Sequence, residues 1–403
     1  MPIQRRTFLK GAGSLAASAS FASLAFGNTT GISVGIVGGG IVGASIAMHL
    51  SRAGAKVTLF EKYAPAAGAT GKSFAWINAY TSDPHYRVLR LRSIAAYHDL
   101  SRILDLGITW GGAIHWAENA AEAERMKARV AEFDQAGYRA SMVTPEDLAG
   151  LSPNLHLGPF SAASFSPPDG HLDPVHATRQ FLNQARNEGA EILHPCEVTE
   201  LQFRGNTFAG VVTTTGSYAL DRLVIASGVD TPLLTAQAGY TTPLIHAPGI
   251  LVHSSPTDRL VGRVVESDRM YFKQNRDGRI VGTSGYSLPE IPAHVHIHEG
   301  PQEMPDEIRK MHGERILRDI RVKLPAATDA IYDRLTLGYR PMPEDRYPIV
   351  GYSPGNSSIY VAVMHSGVTL APIMGRYITQ EILNDDSIDE LAPYRPERFL
   401  DDH

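Results

Sequence analysis

Residues 32–43 read ISVGIVGGGIVG and join a strand pattern to a glycine pattern. The β-branched residues of the first half are typical of a buried parallel strand. The second half satisfies G-x-G-x-x-G with Gly38, Gly40 and Gly43. In such a unit the first glycine permits a tight turn, the second lets the backbone approach a pyrophosphate, and the third lets the next helix pack closely. This segment therefore predicts a dinucleotide-binding strand–turn–helix.

The residues that follow complete the same unit. A helix is expected over residues 44–53, a second strand over 56–60, and Glu61 stands at the end of that strand. The helix N-terminus offers N–H groups and a positive dipole end to phosphates. A carboxylate about 20 residues after the glycines accepts hydrogen bonds from an adenosine ribose and repels the 2′-phosphate of NADP. The pattern favours a nucleotide site over a ligand-free turn, and by itself it leaves NAD and FAD as alternatives.

Composition and charge exclude several classes of protein. The chain has 403 residues, of which 43% are hydrophobic and 20% charged, which is typical of globular proteins and long enough for two domains. The formal net charge of -5 provides no basic excess for nucleic acid. Cys196 is the one cysteine, which excludes an internal disulfide and a multi-cysteine zinc site. We interpret it as a buried structural thiol.

The N-terminus is interpreted as a targeting segment rather than as part of the fold. Arg5 and Arg6 precede a weakly apolar stretch at 11–26, which is typical of a twin-arginine-type export signal over residues 1–27. An amphipathic helix at a membrane surface is the alternative. No later run of about 18 apolar residues occurs, so no spanning segment is predicted. We therefore expect a periplasmic protein.

Helix and strand signals alternate along the remaining chain. The pattern at 86–106 predicts a helix that ends at Gly107, and Thr144 and Asp173 are predicted to cap helices that begin with a proline. A helix that begins near Gly367 is expected to run through residue 383. Further helices are expected at 120–136, 175–188 and 307–324, and strands at 191–193, 197–201, 208–213, 223–226 and within 250–286.

Four segments together resemble the FAD-dependent D-amino acid oxidase family, which includes glycine oxidase and sarcosine oxidase. The resemblance covers the chain after residue 31 and favours FAD over NAD. Besides the glycine fingerprint, its segments are ATGKS at 69–73; DGHLDP at 169–174 with EV at 197–198 and LVIASG at 223–228; and LGYRP at 337–341 with YPIVG at 347–351 and YVAVMHSGVTLAP at 360–372.

The resemblance implies an α/β fold in which a Rossmann-like FAD-binding domain, of the glutathione reductase-like type, is interleaved with an α+β substrate domain. The FAD is expected to be non-covalent, because the near-C-terminal cysteine that links flavin in some members is absent. The FAD-binding domain is expected from residues 31–82, 170–236 and 332–396, and the substrate domain from 83–169 and 237–331. The expected FAD contacts are Gly38, Gly40, Ile41, Val42, Gly43, Glu61, Lys62, Thr70, Gly71, Ser73, Val198, Ala226, Ser227, Gly228, Gly367, Val368 and Thr369.

The resemblance also implies the chemistry, which is oxidation of the C–N bond of an amino acid or related amine. Hydride passes from the substrate carbon to flavin N5, and water hydrolyses the resulting imine. Reduction places negative charge at the flavin N1–C2 edge, where the N–H groups of Val368 and Thr369, at a positive helix end, are expected to stabilise it.

Three residues are expected to shape the substrate pocket. Arg340 is implied to bind the substrate carboxylate through its two-pronged guanidinium, with a structural salt bridge as the alternative. Tyr271 is implied to line the pocket, and a half-buried strand tyrosine is the alternative. His365 is expected to border the flavin or shape the pocket, or else to be a structural histidine.

The electron acceptor is left open by the sequence. Sarcosine oxidase-like members use a lysine near the flavin to react with oxygen, and Ile280 stands at that position here, with Lys273 in the same strand region. Oxygen or another acceptor is therefore expected to take the electrons. An NAD-dependent dehydrogenase and a non-catalytic flavin- or ligand-binding protein are the rival functions. The alternating histidines His294, His296 and His298 lack second ligands nearby, so no metal site is predicted.

Overall fold

The computed structural model describes residues 31–284, residue 293 and residues 304–400. The predicted signal at 1–27 and the histidines His294, His296 and His298 lie outside the described residues. Within the described part, no helix is both long and apolar enough to cross a membrane.

A six-stranded sheet organises the nucleotide-binding half of the molecule. The first strand lies between the second strand and the one that ends at Ile225, and both neighbours run parallel to it. All three are apolar and buried, as expected for a parallel sheet covered on both faces. In sheet order the strands are β20 (Ile349–Ser353), β21 (Asn356–Val363), β12 (Arg222–Ile225), β1 (Ser33–Val37), β2 (Lys56–Phe60) and β8 (Glu191–Leu193).

An eight-stranded sheet forms the second half. In sheet order its strands are β18 (Tyr332–Tyr339), β14 (Pro248–Pro256), β17 (Arg279–Ser284), β16 (Met270–Gln274), β15 (Val264–Glu266), β4 (Ala113–Ala117), β6 (Ala162–Ser166) and β5 (Ser141–Val143). Smaller sheets pair β9 (Val198–Arg204), β10 (Thr207–Thr213) and β11 (Gly216–Ala219); β3 (Trp76–Ile77) and β7 (Gly170–His171); and β13 (Leu244–Ile245) and β19 (Met342–Pro343).

The helices cover these sheets. They are α1 (Ile41–Arg52), α2 (Pro84–Leu100), α3 (Ala120–Gln135), α4 (Pro145–Leu151), α5 (Pro174–Asn187), α6 (Thr231–Thr235), α7 (Asp306–Lys323) and α8 (Gly367–Asn384). Helix α1 packs between α5 and α8, and α7 packs on β14, β17 and β18. The predicted caps are confirmed, because Thr144 accepts from Asp147 N–H and Asp173 accepts from Val175 N–H.

The helix predicted over 86–106 is wrong at its end, since α2 stops at Leu100. The Ser101 hydroxyl bonds back to the Tyr97 carbonyl, and a turn follows. Leu106 is nevertheless buried in the main core from a loop position. Its apolar character therefore reflects tertiary packing and not a continuing helix.

The packing of strands and helices does not follow the domain boundaries predicted at residues 83 and 332. Strand β18, assigned to the FAD-binding domain from the sequence, pairs with β14 in the eight-stranded sheet. Helix α2, assigned to the substrate domain, packs against α8, where Tyr97 and Ser93 donate to the carbonyls of Val368 and Thr369. The two halves are interleaved more closely than the sequence boundaries suggest.

Candidate active site and cofactor cavity

A cavity of about 620 Å³ follows the carboxyl ends of the parallel strands. Its lining includes residues at or just after the ends of β1, β2, β12 and β21. Ligands bind at this edge of open α/β sheets, and the volume is that of a ligand pocket. Cys196 also reaches this lining and is 1% exposed, which confirms the buried thiol.

The glycine turn leaves room for a ligand at the start of α1. Gly38 has a φ of +109°, and a Cβ there would lie 2.5 Å from the Ala226 carbonyl oxygen. A Cβ at Gly43 would lie 2.0 Å from the Gly38 oxygen, so only glycine allows the helix to pack against the turn. Gly40 has an ordinary φ of -73°, and its missing side chain keeps the cavity open beside Thr70. These spaces fit the backbone approach that a pyrophosphate needs.

Two helix N-termini meet in this cavity. Helix α1 begins after Gly40 and α8 begins after Ser366, and neither N-cap residue caps its helix with a side chain. Neither first turn holds an acidic residue, and at α1 the Ile41 N–H donates to Thr70 Oγ1 at 3.1 Å. A Cβ at Gly367 would lie 3.0 Å from Val42 Cγ2, so the two ends are neighbours. Uncapped N–H groups with a positive dipole suit anionic groups. The residues present therefore fit FAD: the N–H groups that open α1 would hold a pyrophosphate, and those that open α8 would stabilise negative charge on a reduced flavin.

Polar side chains border another part of the cavity. Glu61 accepts hydrogen bonds from the N–H groups of Gly39 and Tyr63, each at 2.8 Å. A carboxylate has about four lone-pair sites, so it retains acceptors for ribose hydroxyls. Lys62 Nζ lies 2.7 Å from Asp230 Oδ2, and the hydrogen bond to that carboxylate raises the pKa of Lys62.

Most residues predicted to contact FAD line this one cavity. Gly43, Gly71 and Thr369 lie behind the lining and support it. A Cβ at Gly71 would lie 2.5 Å from the Ala66 oxygen, and Thr369 Oγ1 donates to the Trp76 carbonyl at 3.1 Å. The predicted residues in the lining are Gly38, Gly40, Ile41, Val42, Glu61, Lys62, Thr70, Ser73, Val198, Ala226, Ser227, Gly228, Gly367 and Val368.

The lining also contains residues that sequence reasoning missed. Tyr339 and Met364 stand beside predicted residues, so their sequence position was a usable signal. Leu233 and Gln237 lie in α6 and the turn after it, where no motif marked them. Leu233 and Gln237 line the cavity because the chain that follows β12 passes along it.

His365 lines the cavity, and its role beside the flavin stays a prediction. The His365 side chain is exposed to the cavity. Desolvation by the surrounding protein, with the positive charges of Arg340 and Arg90, nevertheless lowers the pKa of His365 to about 4. The imidazole is therefore uncharged at neutral pH. It adds no positive charge against an incoming ammonium group.

Arg340 and Tyr271 lie near the cavity but are absent from its lining. The Arg340 guanidinium donates to the Ala247 and Pro248 carbonyls at 3.2 and 3.0 Å. The Tyr271 ring meets the Phe74 ring edge-on, with centroids 4.8 Å apart. These contacts do not test the salt-bridge alternative for Arg340, and the substrate roles of both residues stay predictions.

Lys273 and Ile280 face different surroundings. Ile280 is fully buried with Phe272 in the core cluster that includes α7 residues. Alternate strand residues point to opposite faces, so Lys273 faces away from Phe272. Its Nζ donates to the Leu172 carbonyl at 2.8 Å, and burial lowers the pKa of Lys273 to about 7.

A buried polar network joins the two halves, and no local sequence pattern predicted these contacts. Asp169 is fully buried and accepts hydrogen bonds from Trp76 Nε1, at 2.8 Å, and from the Tyr138 hydroxyl. The Trp76 ring lies 5.7 Å from the His115 ring, and His115 Nδ1 is 2.9 Å from a Glu266 carboxylate oxygen. Burial lowers the pKa of His115, but the Glu266 carboxylate outweighs it and the pKa is raised.

Asp169→Asn is expected to flatten the dependence of stability on pH. Burial raises the pKa of Asp169 from 3.8 to about 7, although its hydrogen bonds lower it. Between these values the native carboxyl holds a proton that the unfolded chain has released, so the free energy of unfolding falls as pH rises. Urea unfolding across this range measures the slope, with the exposed Asp268→Asn as control. A slope that Asp169→Asn leaves intact would contradict the assignment.

Comparison with known proteins gives a family and a fold. The family model described as FAD dependent oxidoreductase matches residues 33–381. The chain is 27% identical over 363 residues to 4-methylaminobutanoate oxidase (formaldehyde-forming) of Paenarthrobacter nicotinovorans, covering 87% of this chain and 43% of that protein. It is 24% identical to glycine oxidase of Bacillus licheniformis, covering 87% and 92%. The crystal structure of L-proline dehydrogenase from P. horikoshii has the same fold, with a TM-score of 0.80, 24% identity, and 91% and 97% coverage.

Proposed function

Because the chain belongs to the family of FAD-dependent oxidoreductases, we propose that it oxidises the C–N bond of an amino acid or related amine. One observation carries the proposal: two helix N-termini, neither with an acidic residue in its first turn, line a single cavity. The names of both curated relatives, 4-methylaminobutanoate oxidase and glycine oxidase, support an amine substrate. The chain spans less than half the length of 4-methylaminobutanoate oxidase. The proposal therefore covers C–N bond oxidation by this chain and not the whole activity of that longer protein.

When bound, FAD supplies the two-electron acceptor for hydride from the carbon next to the nitrogen. The chain supplies position and electrostatics. The N–H groups of Val368 and Thr369 at the start of α8 would stabilise negative charge on the reduced flavin. Because His365 is uncharged, its ring does not repel a positively charged substrate amine. Arg340 and Arg90 give this side of the cavity a positive potential that favours a carboxylate.

The deciding experiment is anaerobic reduction of the FAD-loaded protein by a panel of amines: glycine, N-methylglycine, proline and 4-methylaminobutanoate. Loss of the visible flavin absorbance with at least one amine is expected. A coloured protein that no amine bleaches would support the non-catalytic alternative, and a colourless one that binds NAD would support the dehydrogenase alternative. Repeating the panel with oxygen and then with an artificial acceptor distinguishes an oxidase from a dehydrogenase.

Arg340→Ala is expected to raise KM for amino acids by roughly 10-fold or more, as for a lost hydrogen bond to a charged group. KM for an amine without a carboxylate should stay unchanged, because only the carboxylate contact is removed. Steady-state kinetics of both substrate types measure the difference, and the ratio of flavin to protein checks cofactor retention. An equal loss for both types would instead indicate that Arg340 acts through its bonds to the Ala247 and Pro248 carbonyls.

We also propose that the protein is exported to the periplasm by the signal at residues 1–27. The paired Arg5 and Arg6 before an apolar stretch support a twin-arginine route. Replacing both with lysine should leave the uncleaved precursor in the cytoplasm. Cell fractionation with an antibody measures this, and unchanged arrival in the periplasm would contradict the route.

A further inference from the structure

The first turn of α8 is held by one face of α2. Ser93 Oγ donates to the Thr369 carbonyl at 2.6 Å. The Tyr97 hydroxyl donates to the Val368 carbonyl at 2.5 Å. Arg90 lies about one turn before Ser93, so Arg90, Ser93 and Tyr97 share a face of α2, and all three are buried. The turn that lines the cofactor cavity is therefore positioned by α2.

Pro372 explains why the Val368 carbonyl needs a partner outside its own helix. In an α-helix the carbonyl of residue 368 accepts from the N–H of residue 372, and proline has no N–H. The Tyr97 hydroxyl supplies the missing donor. Burial raises the pKa of Tyr97, so the hydroxyl keeps its proton at neutral pH. The contact between α2 and α8 is thus written into the sequences of both helices.

Ser366 occupies the N-cap position of α8 but does not cap the helix. A serine there ordinarily has an extended backbone, and its hydroxyl accepts from one of the first N–H groups of the helix. Ser366 has φ -85° and ψ 34° and makes no such bond. Its Oγ instead accepts from Arg90 Nη1 at 3.0 Å and lies 3.5 Å from His365 Nδ1. The N–H groups of Val368 and Thr369 therefore receive no cap from Ser366.

Arg90 is fixed in the orientation that holds this hydroxyl. The residue is 7% exposed, and its Nε and Nη2 donate to the backbone and amide oxygens of Asn78 at 3.0 and 2.6 Å. The Asn78 amide oxygen also accepts from the Tyr80 N–H at 3.0 Å, which orients it. The planar guanidinium then presents Nη1 to Ser366 with little freedom to turn away.

We propose that Arg90 keeps the N-terminus of α8 uncapped, so that its N–H groups remain available to bound FAD. Arg90 is a positioning residue, since it acts through Ser366. Without Arg90, the Ser366 hydroxyl would turn to the helix N–H groups, as serine does at typical N-caps, and would compete with the flavin for them. Reduction adds negative charge to a flavin, so this competition would cost the reduced form more than the oxidised form. The inference goes beyond the proposed function, because it concerns FAD and not the substrate.

The test measures the midpoint potential of the FAD-loaded protein by anaerobic titration against redox dyes. Arg90→Met should lower the potential by about 30 mV, which for a two-electron couple is a tenfold loss of preference for the reduced flavin. Adding Ser366→Ala to Arg90→Met removes the hydroxyl that would cap the helix and should recover much of this shift, the remainder being the lost charge. Ser366→Ala alone should leave the potential unchanged, because the wild-type hydroxyl does not cap the helix.

The control is Arg92→Met, which removes an arginine from the same helix. Arg92 bonds to Glu390 and to the hydroxyl of Tyr377, which lies later in α8, so its removal should leave the potential unchanged. If Arg90→Met retains too little FAD for a titration, the ratio of flavin to protein becomes the measured quantity. Ser366→Ala should then restore that ratio.

An unchanged potential in Arg90→Met would overturn the inference. Equal values for Arg90→Met and the double variant would overturn it as well, because Arg90 would then act through its charge alone. The titration needs no substrate. A wild-type flavin that no amine reduces would therefore contradict the proposed function and leave this test intact.

Discussion

Gly43→Ala is expected to abolish FAD binding. A Cβ at this position would lie 2.0 Å from the Gly38 carbonyl oxygen, which is backbone and has no rotamer to move. Relief of this contact requires α1 to move away from the turn, and the helix N-terminus then leaves the position from which it binds a pyrophosphate. The ratio of flavin to purified protein after reconstitution measures the loss.

The matched control for this substitution is Gly68→Ala. Gly68, unlike Gly43, lines the cavity, and a Cβ there would meet no atom within 4 Å. Its flavin content should equal that of the wild-type protein. If Gly43→Ala retains as much FAD as Gly68→Ala, the turn is not the pyrophosphate site.

Arg395→Met is expected to lower the free energy of unfolding by about 3–5 kcal/mol, the cost of leaving a buried charge without its partner. Glu381, in α8, is 2% exposed, and Arg395 contacts both of its carboxylate oxygens, at 2.8 and 2.5 Å. The Tyr360 hydroxyl and the Ile388 N–H also donate to this carboxylate, so it joins β21 and the C-terminal turn to α8. Chemical unfolding monitored by fluorescence measures the change.

Arg125→Met is the control for the buried ion pair. Arg125 pairs with Asp268 at 3.1 Å, and the two side chains are 59% and 60% exposed. Exposed pairs contribute about 0–1 kcal/mol, so this variant should unfold almost as the wild type does. Equal destabilisation by the two substitutions would contradict the importance assigned to Glu381.

The substitutions Gly43→Ala and Arg395→Met both affect the packed pair of helices α1 and α8. Gly43 sets how α1 meets its turn, and Glu381 anchors the C-terminal part of α8, whose N-terminus lines the cavity. Helices α1 and α8 also pack against each other closely, since a Cβ at Gly375 would lie 2.4 Å from Ser45 Oγ. We therefore expect Arg395→Met to weaken FAD binding as well as stability.

Much of the cofactor half followed from the sequence alone. The fingerprint, the second strand and the helix from Gly367 have local signals, and the predicted family, FAD cofactor and fold are confirmed. Turns, caps and hydrophobic periods act over a few residues, so a linear pattern records them. That both helix ends would face one cavity was implied by the resemblance, and the packing of α1 on α8 provides it.

The pairings between distant segments were decided only by tertiary structure. Asp169 meets Trp76 and Tyr138, and Glu266 meets His115, although the partners are far apart in sequence. Their contacts depend on sheet order and register, which no local signal encodes. The same reason explains why α2 ended early and why β18 joined the other sheet: long-range burial and strand pairing outweighed the local pattern.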